Sequence, residues 1–221
     1  MEGRYNPDAL IELPAYSLPE VASYARVPYT TLRYWAVNSG ARPLIMLPDG
    51  GPSLSFVNLL ECHILNVLRT QYQLRVANIR RALETLERLY PLTKHPLIEL
   101  GLHTDKVDLF DETGLLNLSR GGQGALGFLK NYMQRIEFGP IPKFYPFVVT
   151  DNSDEPKYIS VTPMIAFGRS VIDGTGIATA VISARFKARE SIADLAEEYG
   201  RKPQEIEEAV RWEAIRTATP S

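Results

Sequence analysis

The chain has 221 residues, of which 45% are hydrophobic and 23% charged, enough apolar material to bury two small cores and to exclude wholesale disorder. With no run of about 18 apolar residues and no charged-then-apolar leader, neither a membrane span nor secretion is expected, and the cytoplasm is the expected compartment. One cysteine excludes an internal disulfide, and a formal net charge of -2 excludes broad electrostatic attraction to nucleic acid, so any basic contact must be local.

In chain order, the first strong signal is Tyr16 to Trp35. Ser17 and Glu20 predict a capping box, in which the serine hydroxyl accepts an orphan backbone N–H and the glutamate reaches back to the Ser17 backbone. A short helix with an apolar stripe of Val21, Ala22 and Ala25 follows. Pro28 blocks its continuation and suits the first turn of a second helix, which runs to about Val37. Leu32, Trp35 and Ala36 recur at helical spacing and are expected to face inward. Tyr29, Thr30, Thr31, Arg33 and Tyr34 are left for the outside, and these are residue types that reach phosphates and base edges. Arg26 and Arg42 flank the pair as further DNA-contact candidates. Two short capped helices across a tight turn have the layout of a helix-turn-helix.

The run Thr31-Leu32-Arg33-Tyr34-Trp35 resembles the recognition helix of MerR-type regulators, which begin with a winged helix. Pro28 stands where that family usually has a serine cap, and the arginine usual in the wing is missing. The resemblance implies a wing at Pro43 to Ser55, a hairpin closing at Asp49-Gly50-Gly51, with Phe56 anchoring its exit.

Phe56 to Tyr90 reads as two helices broken near Gln71 to Arg75. Cys62 sits in the apolar stretch Val57 to Leu68 and is expected to be a buried small hydrophobe. Val76, Ile79, Leu83 and Leu86 define an apolar seam that needs a partner, either the winged helix of the same chain or the same helix of a second copy. A homodimer, expected by analogy with MerR-type proteins, would present two recognition helices to a palindromic site. Arg69, Arg75, Arg80, Arg81 and Arg88 on these helices read as a solvated face.

Leu102 to Leu118 suggests a small hairpin, and Gly122-Gln123-Gly124-Ala125-Leu126-Gly127 matches the dinucleotide pattern G-x-G-x-x-G, with Asp151 as a ribose partner. The preceding strand is short and no strand-helix alternation completes a parallel sheet, so a tight turn and a close helix start are the simpler account, and a nucleotide-binding enzyme is the lesser alternative. His63, His95 and His103 are scattered without metal-ligand spacing, and no nucleophile elbow or phosphate loop occurs. The expectation is a non-enzyme without catalytic residues, cofactor or metal. Phe138, Phe144, Tyr145 and Phe147 predict a stretch packed on a surface, followed by a polar linker Asp151 to Glu155 with a boundary near Asp154.

The final segment contains Ile159-Ser160-Val161 and Phe167-Gly168-Arg169-Ser170-Val171-Ile172-Asp173-Gly174-Thr175-Gly176-Ile177, then three predicted helices. These are Thr179 to Lys187, Ser191 to Tyr199 with Ser191 as cap and Gly200 as terminator, and Pro203 to about Arg216. The segment resembles a small bacterial domain of unknown function found in antitoxins, with Ser170 and Gly176 in place of that family's usual proline and arginine. The order of the two resemblances is that of VapB-type antitoxins. The expected fold is therefore mainly α with small β hairpins: a MerR-like winged helix-turn-helix with following helices over 1–92, a small α+β region and linker over 93–153, and a three-helix, helix-turn-helix-like domain over 154–221.

The resemblance implies an antitoxin that neutralises a PIN-like ribonuclease toxin by covering or displacing its metal and RNA site, and that binds operator DNA to repress its own operon. Glu205, Glu207, Glu208 and Glu213 set carboxylates against any phosphate, so the last helix suits a protein partner better than DNA. Arg169, Glu205, Glu208, Arg211, Trp212 and Arg216 are the partner-contact candidates. A MerR-like regulator without a toxin, sensing a small molecule through its middle region, is the second reading.

Overall fold

In a computed structural model the described residues are 7–37, 43–48, 51–71, 73–89, 91, 94–95, 97–98, 133–139, 142–147 and 155–218. Among them lie eight helices and two antiparallel two-stranded ladders. The chain forms two compact units: Tyr16–Gln134, and a second built from residues 1–15 with Arg135–Ser221. The predicted hairpin over Leu102 to Leu118, the glycine run Gly122 to Gly127, Asp151, Asp154 and Arg42 fall outside the described residues.

In the first unit, α2 (Leu18–Tyr24) opens with the predicted capping box. The Ser17 N–H donates to Glu20 Oε2 at 2.8 Å and the Glu20 N–H to Ser17 Oγ at 3.4 Å. The Val27 N–H donates to the Ala22 carbonyl at 2.8 Å, and Arg26 is left-handed at φ 53°, which turns the chain sharply into α3 (Tyr29–Ala36). Asn66, on α4 (Phe56–Thr70), donates to the Ala25 carbonyl at 3.2 Å and ties that turn to the longer helix. Leu32, Trp35 and Ala36 are buried, as their spacing predicts, and the Arg69 guanidinium lies 5.6 Å from the Trp35 ring.

The helix α4 is buried along nearly its whole length. Its start is a second capping box, Ser55 with Asn58: the Ser55 N–H donates to Asn58 Oδ1 at 3.1 Å and the Asn58 N–H to Ser55 Oγ at 3.2 Å. Asn58 Nδ2 also donates to the Met46 carbonyl and to Glu61 Oε2. Cys62 is fully buried, and burial first, with Glu61 second, pushes its thiol pKa well up, so it packs as a hydrophobe. Phe56 anchors the entry, with its ring 6.4 Å from that of Tyr16.

The expected wing hairpin shows no ladder among the described residues, and Asp49 and Gly50 at its predicted tip lie outside them. Among the described residues 43–48 and 51–55 do not pair with each other. Leu54 instead makes an antiparallel bridge to Tyr16, at 2.7 and 2.9 Å, while Leu44 N–H donates to the Trp35 carbonyl at 2.9 Å. The apolar side chains of Leu44, Ile45 and Leu54 are all buried, and burying them against α3 and the segment before α2 fixes the backbone there instead of in a local ladder. In α5 (Val76–Leu89), Ile79, Ala82 and Leu83 are buried within the chain.

The second unit contains α1 (Pro7–Glu12) and a ribbon of four short strands: β1 (Ile136–Glu137), β2 (Lys143–Phe144), β3 (Ile159–Ser160) and β4 (Val171–Ile172). β1 pairs with β2 and β3 with β4, and a Phe144 to Val161 bridge joins the two ladders. Buried Arg135 donates to the carbonyls of Tyr145 (2.9 Å), Pro146 (2.9 Å) and Glu155 (2.5 Å), with its guanidinium 4.8 Å from the Phe147 ring. One side chain thus satisfies three carbonyl acceptors, two of them buried, and fixes the path from the first ladder toward the second. Phe144, Tyr145 and Phe147 are buried, as their composition predicts, whereas Phe138 is partly exposed.

Three helices follow at the positions the sequence signals mark: α6 (Thr179–Lys187), α7 (Ile192–Tyr199) and α8 (Pro203–Ala218). Ser191 Oγ accepts the Asp194 N–H at 3.1 Å, and Gly200 ends α7 at φ 60°, a left-handed cap that glycine adopts without strain. Ile206, Ala209 and Trp212 of α8 are fully buried and form its inward stripe.

Candidate functional site

The outer face of α3 combines the DNA-contact candidates. Thr30, Arg33 and Tyr34 are exposed, and with exposed Val37 they follow one another at three and four residues, which makes a single stripe opposite the buried Leu32 and Trp35. Tyr29 and Thr31 are half-buried at its edge. Pro28, the residue before the helix, makes no side-chain cap and holds the extended backbone that leads into it. Among the described residues the side chains of Thr30, Arg33 and Tyr34 make no internal hydrogen bond or ion pair, so their donors point outward unspent. Arg26 sits half-buried in the turn at the other end of α2.

The partner-contact candidates of the second unit divide into two groups. Trp212 is fully buried, with the Arg216 guanidinium 5.8 Å from its ring, and is a core residue. Glu208 is also buried. Burial pushes its carboxyl pKa up, against the pull of Arg211, whose Nη1 lies 2.6 Å from Glu208 Oε2, while nearby Glu155 pushes it further up. Glu205 accepts from Arg201 Nη2 at 2.5 Å and from the Lys202 N–H at 2.8 Å, which places it as a start signal for α8. Arg216 holds Glu213 at 3.0 Å. Glu213 in turn accepts from the buried Thr179 hydroxyl at 2.5 Å, and Thr179 and Ser170 share a hydrogen bond at 2.8 Å. Glu205, Glu208, Trp212 and Arg216 therefore build the unit itself. Arg211 and Arg169 are the two exposed candidates.

The helical seam on α5 divides similarly. Ile79 and Leu83 are buried inside the chain and Val76 is half-buried, which is the intrachain alternative for these residues; the side chain of Leu86 lies outside the described ones.

Several organised features were not marked by the sequence. Arg185 of α6 links Glu190 and Glu198 and donates to the Tyr199 hydroxyl at 3.1 Å, so one guanidinium clasps the ends of α6 and α7. Its hydrogen bonds hold both glutamate carboxyls below the usual range. In the first unit, Glu61 Oε2 lies 3.2 Å from His95 Nδ1, at a recess lined also by Pro43, Met46, Arg80, Leu83, Glu87 and Lys94. Among the described residues no cluster of histidine, cysteine and carboxylates could hold a metal, and no helix is long and apolar enough to cross a membrane.

Comparison with known proteins supplies three likenesses. Residues 159–212 match a family described as protein of unknown function, DUF433. A curated Mycobacterium tuberculosis protein named "Putative antitoxin VapB45" is 25% identical over 240 residues, an alignment covering 95% of this chain and 98% of that relative. The crystal structure of Rv2018 from Mycobacterium tuberculosis superposes with a TM-score of 0.69 at 24% identity, covering 90% of this chain and 99% of that one. The structural match shows that the two proteins share a fold from near end to near end.

Proposed function

We propose that this chain is a VapB-type antitoxin, a non-enzyme that binds operator DNA through α3 in a MerR-like helix-turn-helix and holds a PIN-like ribonuclease toxin through its C-terminal helical domain. The observation that carries the reading is the end-to-end likeness to a relative named as an antitoxin. The outward stripe of unspent donors on α3 supports DNA contact at the same time. Arg33 and Thr30 are the main DNA contacts in this proposal, with Tyr29, Thr31, Tyr34, Arg26 and Arg42 assisting. A homodimer would offer two copies of α3 to two half-sites. Toxin neutralisation is stoichiometric and needs no catalytic group.

The DNA part is tested by titrating a fragment of the chain's own promoter in gel shifts. Arg33→Ala should weaken binding by about 1–3 kcal/mol without changing thermal stability, since the side chain is exposed and unpaired. An unchanged affinity would remove α3 as the reading helix.

A further inference from the structure

The loop between β3 and β4 carries a feature that neither packing nor DNA contact uses. Its base is fixed: Ile159 pairs with Ile172 and Ser160 with Val171, and Val161, Thr162, Ser170 and Gly168 are buried. Its interior is bonded as well, with the Ile165 N–H on the Thr162 carbonyl at 3.2 Å, Gly168 on Ile165 at 3.0 Å and Arg169 on Ala166 at 3.2 Å. At the tip, Ala166, Phe167 and Gly168 are consecutively left-handed, with φ of 49°, 55° and 76°. Two of these carry a Cβ, for which that conformation is strained. The strained geometry holds Phe167 95% exposed, with Met164 about half-exposed beside it in sequence.

An exposed apolar residue alone needs no explanation. Here the backbone is held in an unfavourable conformation that leaves the Phe167 side chain in solvent, which suits a prearranged anchor. The charge at the tip adds a direction. Arg185, Arg201, Arg211 and Arg216 each hold a glutamate, whereas Arg169 has no partner among the described residues. From Ile159 to Ser170 there is no carboxylate at all. Aromatic residues including phenylalanine, with methionine and arginine, are the side chains enriched at protein interfaces. Nucleic acid fits less well, because acidic residues about balance basic ones across 155–218, which leaves little net phosphate attraction.

We propose that this loop is the docking head for the toxin, with Phe167 entering an apolar socket on the toxin surface and Arg169 pairing with a carboxylate on the rim of that socket. The proposal rests on the antitoxin reading above and adds to it the point of attachment.

The test is calorimetric titration of the full chain into a purified PIN-like ribonuclease whose gene adjoins that of this chain, with the chain's own thermal melting point measured in parallel. Phe167→Gly and Phe167→Asn both tolerate the left-handed backbone. Each should weaken toxin binding by about 30-fold or more while leaving the melting point equal or higher. Phe167→Leu should stay within a few-fold of wild type, and Arg169→Glu should lose about tenfold. Wild-type-like toxin binding by the glycine and asparagine variants would overturn the docking proposal and leave the antitoxin reading standing. Absence of binding by the wild-type chain would overturn both. Loss of self-association or of promoter affinity in these variants, with toxin affinity unchanged, would overturn the proposal and give Phe167 to a second copy or to DNA.

Discussion

Ser17 makes three hydrogen-bonding contacts with Glu20 before α2 begins, so a small polar side chain decides where the first helix of its unit starts. Ser17→Ala should destabilise that unit by about 1 kcal/mol in urea unfolding, with Ser17→Thr recovering most of it. Glu208 sets a pH dependence. Burial raises its folded pKa, so its contribution is most favourable where it is protonated in both states and is lost as pH rises through the carboxylate range to its raised folded value. Glu208→Gln should therefore be more stable than wild type at pH 7, and the difference should close below about pH 4 in urea unfolding at the two pH values. At this scale the legible residues were those governed by local rules: the Ser17 and Ser191 caps, Pro28 and Gly200. Phe167 was not legible, because a left-handed backbone at a residue with a Cβ leaves no trace in composition or spacing.

Among the elements, α4 organises the first unit. Asn58 closes its capping box and also satisfies the Met46 carbonyl and Glu61 in a buried setting. Asn58→Ala should cost about 2 kcal/mol or more, exceeding Ser17→Ala, because it leaves buried polar groups unpaired. The box escaped sequence reading since asparagine stands where glutamate or glutamine usually marks it. Helix α8 shows the opposite difficulty. Its charges are spread around the helix, so the sequence gives its extent but not its inward face, and Glu208 and Trp212 read as surface when both are buried. Trp212→Ala should accordingly cost about 3–5 kcal/mol as a core cavity, seen as a lowered melting transition of the chain alone. The partner of Leu54 was hidden for a related reason: a Gly-Gly turn suggests a local hairpin, but Leu54 finds its backbone partner in Tyr16, far away in sequence.

For the whole molecule, the near-neutral charge and the small number of basic residues in the sequence on either side of α3 set how the proposed DNA binding should respond to salt. If Arg26, Arg33 and Arg42 supply the phosphate contacts, the slope of log K against log salt should be about -3 per protomer, shallower than for proteins with extended basic surfaces. The mainly helical architecture with small ladders was legible because helix periodicity and end signals are local, whereas the division into two units, one drawing on residues from both chain ends, depends on contacts distant in sequence. The most direct test of the antitoxin proposal is an RNA-cleavage assay of any PIN-like ribonuclease whose gene adjoins that of this chain, titrated with the purified chain. Cleavage should fall linearly to near zero at a fixed molar ratio of chain to ribonuclease. Cleavage unchanged at several-fold excess of the chain would contradict the antitoxin proposal.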